Sequence, residues 1–307
     1  MQIGIVGLGR MGGNMARRLA RRKVNVVGFD RTAAKHAQFR DEAGIVPTDS
    51  LEVLVAQLKA PRVVWLMLPA GAASQTTLQA LAARLSAGDV VVDGANAHYK
   101  DSIRHAAELA KHGIEFVDAG VSGGIWGLDN GYGLMLGGSA AAIERVKPFL
   151  QHLAPAPDKG WLHCGPVGAG HFVKMVHNGI EYGMMQAYAE GFAVMREKKE
   201  LALDLGAIAE CWRHGTVIRS WLLDLTAPLL SDDKKLVDAA PVVADSGEGR
   251  WTALEAIELG VPAPVMSLAL MMRWASQGRS DFAARLLAGM RNAFGGHEIA
   301  KKKPASA

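Results

Sequence analysis

MQIGIVGLGRMGGNMARRLARRKVNVVGFD, residues 1–30, decides the fold. The run Gln2–Gly7 is short and apolar, as a strand covered on both faces would be. Met11–Arg22 then has helical spacing with a basic face, and Val24–Phe29 is a second apolar strand. Between strand and helix stands Gly7-Leu8-Gly9-Arg10-Met11-Gly12. In that context a G-x-G-x-x-G has a physical reading. The first glycine permits a tight turn, the second lets backbone approach a pyrophosphate, and the third lets helix and strand pack closely. The helix start adds unpaired N–H groups and the positive end of its dipole. Asp30 ends the second strand. A carboxylate there accepts from a ribose 2′-OH and repels a 2′-phosphate, which predicts NAD as the preferred cofactor. Arg31 could stack on adenine or accommodate a phosphate, so NADP stays open as a second cofactor.

The same alternation continues outward. Arg62–Leu68, Asp89–Asp93 and Ile114–Asp118 repeat the strand pattern with helical segments between them, and Gly133–Gly137 followed by Ala140–Leu150 extends it. Strand and helix in turn predict an α/β, Rossmann-like, doubly wound parallel sheet over residues 1–165. Leu68-Pro69-Ala70 ends a strand at the carboxyl edge, where dinucleotides lie in such sheets, so Leu68 and Pro69 join the candidate cofactor contacts. Pro155, Pro157 and Gly160 mark a loop. From Val167 the pattern changes. Val167–Lys198 reads as one long helix, and helical stretches near 204–214, 217–229, 251–259, 264–277 and 279–293 follow with almost no strand signal. An all-helical domain is expected over 166–297 and a disordered tail over 298–307.

The 307 residues are half hydrophobic, enough to bury a core and to favour two domains. Two cysteines, Cys164 and Cys211, form neither a disulfide framework nor a metal cluster and fit a reducing compartment. No signal peptide is evident, and the apolar stretch Leu259–Met272 is interrupted by prolines and too short to span a bilayer. A cytoplasmic protein with no membrane role is expected. Net charge is +4, spread along the chain except at Arg17–Lys23 and Lys301–Lys303. Without clustered aromatics or a reading motif this argues against a nucleic-acid partner, and the mild positive bias suits an anionic small substrate.

The long helix carries the second signal. In GHFVKMVHNGIEYGMMQ, residues 170–186, Lys174, His177, Asn178 and Glu181 fall at i, i+3, i+4 and i+7, one face of two turns among apolar neighbours. A solvated seam or a satisfied buried ion pair would give the same pattern. So would an enclosed site, where burial lowers a lysine's pKa and suits it to act as a base. A dinucleotide domain upstream favours the site. A hydride acceptor implies a carbinol substrate: Lys174 would take its hydroxyl proton, His177 and Asn178 would hold its oxygens, and Glu181 is a candidate acid for a second proton transfer.

Together these stretches resemble the decarboxylating 6-phosphogluconate dehydrogenases of the β-hydroxyacid dehydrogenase superfamily. The matching stretches are the glycine loop, Asp93-Gly-Ala-Asn96-Ala-His-Tyr-Lys100, Gly120-Val-Ser122-Gly123-Gly124-Ile-Trp126-Gly-Leu-Asp-Asn130-Gly, Lys174-Met-Val-His177-Asn178-Gly-Ile-Glu181-Tyr182, Gly249-Arg-Trp251-Thr and Arg291-Asn-Ala-Phe-Gly-Gly-His297. The resemblance implies that Asn96, Ser122, Gly123 and Gly124 line the site between cofactor and sugar acid. It makes Lys174 the base for the C3 hydroxyl and Glu181 the acid that protonates C1 after CO2 leaves, without a metal. It gives His177 and Asn178 to hydroxyl and carboxylate groups, and Tyr182 and Arg273 to the substrate phosphate. Arg291 and His297 would complete the site of a neighbouring subunit, which implies a homo-dimer or homo-tetramer. The chain is far shorter than the common long form, like the short bacterial type. Where the long form reads Lys-Gly-Thr-Gly-Lys-Trp, this sequence has Ser246-Gly247-Glu248-Gly249-Arg250-Trp251: a lysine is gone, a glutamate has entered, and Arg250 is the candidate replacement. Two rival readings are a β-hydroxyacid dehydrogenase of the 3-hydroxyisobutyrate type, and a non-catalytic NAD-binding protein.

Overall fold

The computed structural model describes residues 1–232, 236–295, 298 and 300. His297, and the expected tail apart from Glu298 and Ala300, lie outside the described residues. The chain forms two compact units, the first ending at His177 and the second beginning at Asn178.

The first unit alternates strand and helix: β1 (Gln2–Val6), α1 (Arg10–Arg21), β2 (Asn25–Phe29), α2 (Ala33–Phe39), β3 (Ile45–Thr48), α3 (Leu51–Gln57), β4 (Val63–Leu66), α4 (Ala72–Ala82), β5 (Val90–Asp93), α5 (Tyr99–Ala110), β6 (Glu115–Ser122), α6 (Gly127–Asn130), β7 (Gly133–Gly138), α7 (Ala140–Leu153) and β8 (Trp161–Gly165). The strands make one sheet in the order β3-β2-β1-β4-β5-β6-β7-β8, with the chain reversing direction of travel across the sheet at β1 and β4. Alternate residues of each inner strand feed opposite cores. Ile3, Ile5, Trp65, Val90 and Val92 pack with Met15 and Leu19 of α1 and Val146 and Leu150 of α7. Val6, Val64, Leu66 and Val91 pack with Leu54, Leu78, Leu81 and Leu109 of α3, α4 and α5. Burial on both faces is why these strands read as unbroken apolar runs.

Two features depart from the expected parallel sheet. β7 runs antiparallel to β6. The link from Gly123 to Tyr132 is too short for a crossover of the kind parallel strands require, and it turns at Gly123 (φ +130°) and Gly131 (φ +87°). The edge strands β3 and β8 lack a sequence signature: Pro47 interrupts one, and the other is half exposed. The basic face of α1 also differs from a solvated one. Arg18 is buried, its guanidinium donating to the carbonyls of Leu128, Asp129, His152 and Ala154. Four acceptors offset the cost of burying that charge and tie α1 to the ends of α6 and α7.

Helix α8 (Ala169–Glu197) starts in the first unit and continues into the second. The second unit adds α9 (Leu205–Trp212), α10 (Trp221–Ser231), α11 (Glu248–Glu258), α12 (Pro264–Ser276) and α13 (Asp281–Gly295). Phe192, Ala209, Leu223 and Ala227 form its small core. A cavity of 910 Å³ beside that core is lined by Tyr188, Phe192, Leu205, Leu222 and Leu229. Among the described residues no helix is long and apolar enough to cross a membrane.

Candidate active site

The glycine loop is shaped by contact. Gly7 has φ +94°, and a Cβ there would stand 2.4 Å from the Met67 carbonyl oxygen; one on Gly12 would stand 1.9 Å from the carbonyl oxygen of Gly7. Neither position admits a side chain. At Gly9 the nearest atom to such a Cβ is the Lys35 ammonium, 3.7 Å away, so the backbone there is open to a ligand. Gly9 is the N-cap of α1 and supplies no side-chain cap. The first amides of α1 thus receive no cap from the residue that opens the helix, as suits a phosphate cradle. Buried Leu8 and partly exposed Met11 flank the loop, with Arg10 on the surface and Leu68 against Gly7; Pro69 is exposed at the end of β4.

Asp30 is turned back onto this loop. It accepts from the backbone N–H of Leu8 at 2.9 Å and of Thr32 at 2.8 Å, and Lys35 lies 3.3 Å away. Burial pushes its pKa up, but the Thr32 and Leu8 amides and Lys35 outweigh that and hold it below the usual carboxylate range. The carboxylate stays ionised beside the loop while Arg31 is exposed. Glycines, helix start and ionised Asp30 together fit a dinucleotide.

The start of α8 is bolted to the sheet. Asp118 of β6 accepts from Gly168 N at 2.6 Å and His171 N at 2.8 Å. It therefore serves as a remote cap for the orphan amides of α8. Its burial pushes its pKa up, against the His171 and Gly168 contacts that favour the charge. His171 Nδ1 lies 2.7 Å from Ser102 Oγ on α5. Gly170 lets the helix backbone rest on β6 and β7: a Cβ there would stand 2.5 Å from the carbonyl oxygens of Asp118 and Met135. Four residues on, Lys174 is buried against Gly120, and its Nζ lies 3.5 Å from His177 Nδ1. Ser122 ends β6 two residues past Gly120, and Gly123 and Gly124 turn the chain at positive φ. Asn96 is exposed in the link before α5. In this unit the structure brings Lys174, His177 and the β6 end to one region.

On the second unit's part of α8, Asn178 and Tyr182 are buried and Glu181 is partly exposed. Continuity of α8 keeps Lys174, His177, Asn178 and Glu181 in one stripe. Gly179 and Gly249 allow α8 and α11 to touch: a Cβ on Gly249 would stand 2.3 Å from the Tyr182 ring. The Arg273 guanidinium carbon lies 3.4 Å from the centroid of that ring, and the Tyr182 hydroxyl lies 3.0 Å from Ser246 Oγ. Arg250, the candidate replacement for the missing lysine, donates to Asp245 at 3.0 Å. Asp245 also accepts from Trp274 Nε1 and Gly247 N. Arg291 is exposed on α13. Asp118, His171, Ser102, Ser246 and Glu248 escaped the sequence reading as site residues. Only Ser246 and Glu248 left a signal, as departures from the Lys-Gly-Thr pattern.

Two family models match the chain: the NAD binding domain of 6-phosphogluconate dehydrogenase over residues 2–165, and the 6-phosphogluconate dehydrogenase C-terminal domain over residues 170–283. An NAD(+)-dependent, decarboxylating 6-phosphogluconate dehydrogenase of Haloferax volcanii is 42% identical over 303 residues, 98% of this chain and 99% of that one. An NADP(+)-dependent, decarboxylating enzyme of Bacillus subtilis is 37% identical over 292 residues, covering 91% of this chain and 62% of that one. Among solved structures, the Plasmodium falciparum 6-phosphogluconate dehydrogenase, described with NADP+ and with its substrate 6-phosphogluconate, superposes with a TM-score of 0.84 at 29% identity. The match covers 100% of this chain and 67% of that one. A 3-hydroxyisobutyrate dehydrogenase of Mycobacterium tuberculosis, 22% identical with a TM-score of 0.71 over 91% of this chain and 94% of that one, shares the fold.

Proposed function

The chain belongs to the 6-phosphogluconate dehydrogenase family, and from that premise we propose that it oxidatively decarboxylates 6-phosphogluconate to ribulose 5-phosphate and CO2 with NAD as the preferred oxidant and NADP as a second. The observation that carries this reading is the α8 stripe, with buried Lys174 set against β6 and Glu181 two turns on.

Gly7, Gly9, Gly12 and the α1 start would hold the cofactor pyrophosphate, and Asp30 the adenosine ribose. The bound nicotinamide supplies a hydride acceptor. Lys174 takes the C3 hydroxyl proton as hydride departs, leaving a 3-keto acid. That ketone accepts the electron pair released when CO2 leaves, and the protonated lysine polarises its oxygen. Glu181 then protonates C1 of the enediol. Asn96, Ser122, Gly123, Gly124, His177 and Asn178 orient hydroxyl and carboxylate groups, and the phosphate is received where Arg273 lies over the Tyr182 ring.

The functional protein is a homo-oligomer in which Arg291 reaches a neighbouring site. In support, the second unit leaves large apolar side chains on its surface, including Ile257 (75% exposed), Val265 (67%) and Phe282 (77%). A cytoplasmic location accords with a free dinucleotide and sugar phosphate as reactants.

The test is reduced-nicotinamide formation and CO2 release on 6-phosphogluconate with NAD and with NADP. Gluconate and 3-hydroxyisobutyrate run alongside. One CO2 per NADH on 6-phosphogluconate supports the reading. Turnover of 3-hydroxyisobutyrate with 6-phosphogluconate inert overturns it.

A further inference from the structure

The second unit holds a buried carboxylate that this chemistry does not use. Glu248, in the first turn of α11, is 2% exposed. Ser246 Oγ donates to its Oε2 at 2.6 Å, and the same Ser246 oxygen lies 3.0 Å from the Tyr182 hydroxyl. A serine hydroxyl has one proton. With that proton on Glu248, only the tyrosine can donate in the Tyr182–Ser246 bond. The Tyr182 proton therefore points to Ser246, and its oxygen offers other groups only lone pairs.

Arg273 lies over the same ring, 3.4 Å from its centroid. Its guanidinium donates to the Ala244 carbonyl at 3.0 Å and touches the Met185 sulfur; among the described residues it has no carboxylate partner. Arg250 does have one, in Asp245. An anion arriving here thus meets one uncompensated guanidinium and a tyrosine whose proton is held elsewhere.

We infer that Glu248, acting through Ser246, is a positioning residue that sets how firmly the anionic end of the substrate is held: it keeps the Tyr182 proton from the phosphate and leaves Arg273 to hold it. The inference rests on the phosphorylated sugar acid proposed above. It assigns the exchange of a lysine and a threonine for Ser246 and Glu248 a single effect, a looser grip on phosphate.

Glu248→Gln supplies an amide that can donate to Ser246. The serine proton then turns to Tyr182, and the tyrosine proton is freed for the phosphate. Ser246→Ala frees it from the other side by removing the acceptor. Both variants are expected to lower the KM for 6-phosphogluconate about three- to tenfold, the range of one ordinary net hydrogen bond. The kcat, the KM for NAD and the KM for gluconate stay put. In a Tyr182→Phe background the gain disappears. Calorimetric titration with 6-phosphogluconate reads the same change without turnover, so a wild type that binds this compound and does not oxidise it overturns the proposed reaction alone. An unchanged or raised KM and Kd in both folded variants, or a gain that persists without the tyrosine hydroxyl, overturns the role of Glu248.

Discussion

Gly120 of β6 and Lys174 of α8 are in direct backbone-to-side-chain contact: a methyl group added at Gly120 would stand 2.3 Å from the Lys174 Cβ and 3.0 Å from the Gly170 carbonyl oxygen. The absence of a side chain on the strand sets where the lysine stands. Gly120→Ala is therefore expected to push α8 off the sheet. Overpacking of this kind costs about 1–3 kcal/mol. The check is a lowered melting temperature together with a kcat loss larger than that loss of fold explains.

Lys174→Met keeps the volume and removes the proposed base. A kcat drop of about 10²- to 10⁴-fold is expected. NADH binding, followed by fluorescence, should be unaltered, because the glycine loop and Asp30 lie on other elements. Equal loss of cofactor binding would argue against a role confined to proton transfer.

The first turn of α8 has its own test. Asp118→Asn leaves one oxygen for two N–H donors, Gly168 and His171. A buried donor left unsatisfied costs about 1–3 kcal/mol. Hydrogen exchange should accelerate at those two amides before the rest of α8, and kcat should fall while the KM for NAD holds.

Asp30 gives a pH prediction. Its folded pKa lies below the ordinary value, so the ionised carboxylate stabilises the fold above that value. The contribution fades as pH drops through the folded pKa. The melting-temperature gap between wild type and Asp30→Asn should be full at neutral pH and shrink below about pH 4. The same variant should narrow the preference for NAD over NADP, read as the ratio of kcat/KM values.

The fold was legible wherever its signal is local. The glycine loop, Asp30 and the apolar runs of β1, β2, β4 and β5 are each fixed by neighbours within a few residues, and the α8 stripe follows from helical period alone. What escaped depends on partners far along the chain. Nothing around Asp118 announces that it caps a helix fifty residues later, and Arg18 resembles any surface arginine until the ends of α6 and α7 close over it. The reversal of β7 follows from a link length that hydropathy does not encode. Ser246 and Glu248 were visible as departures, but their shared proton required knowing that Tyr182 stands beside them.

The glycines have a consequence at the level of the gene. All four third-base choices of a glycine codon encode glycine, and any coding change at the first or second base adds a side chain or a stop. At Gly7, Gly12, Gly120 and Gly170 the first atom of that side chain would meet protein at 2.5 Å or less. These codons have no near neighbour that leaves the structure alone. In a saturation library selected for activity, they should retain only synonymous variants, forming two fixed islands, one at the glycine loop and one under Lys174, each surrounded by positions that drift.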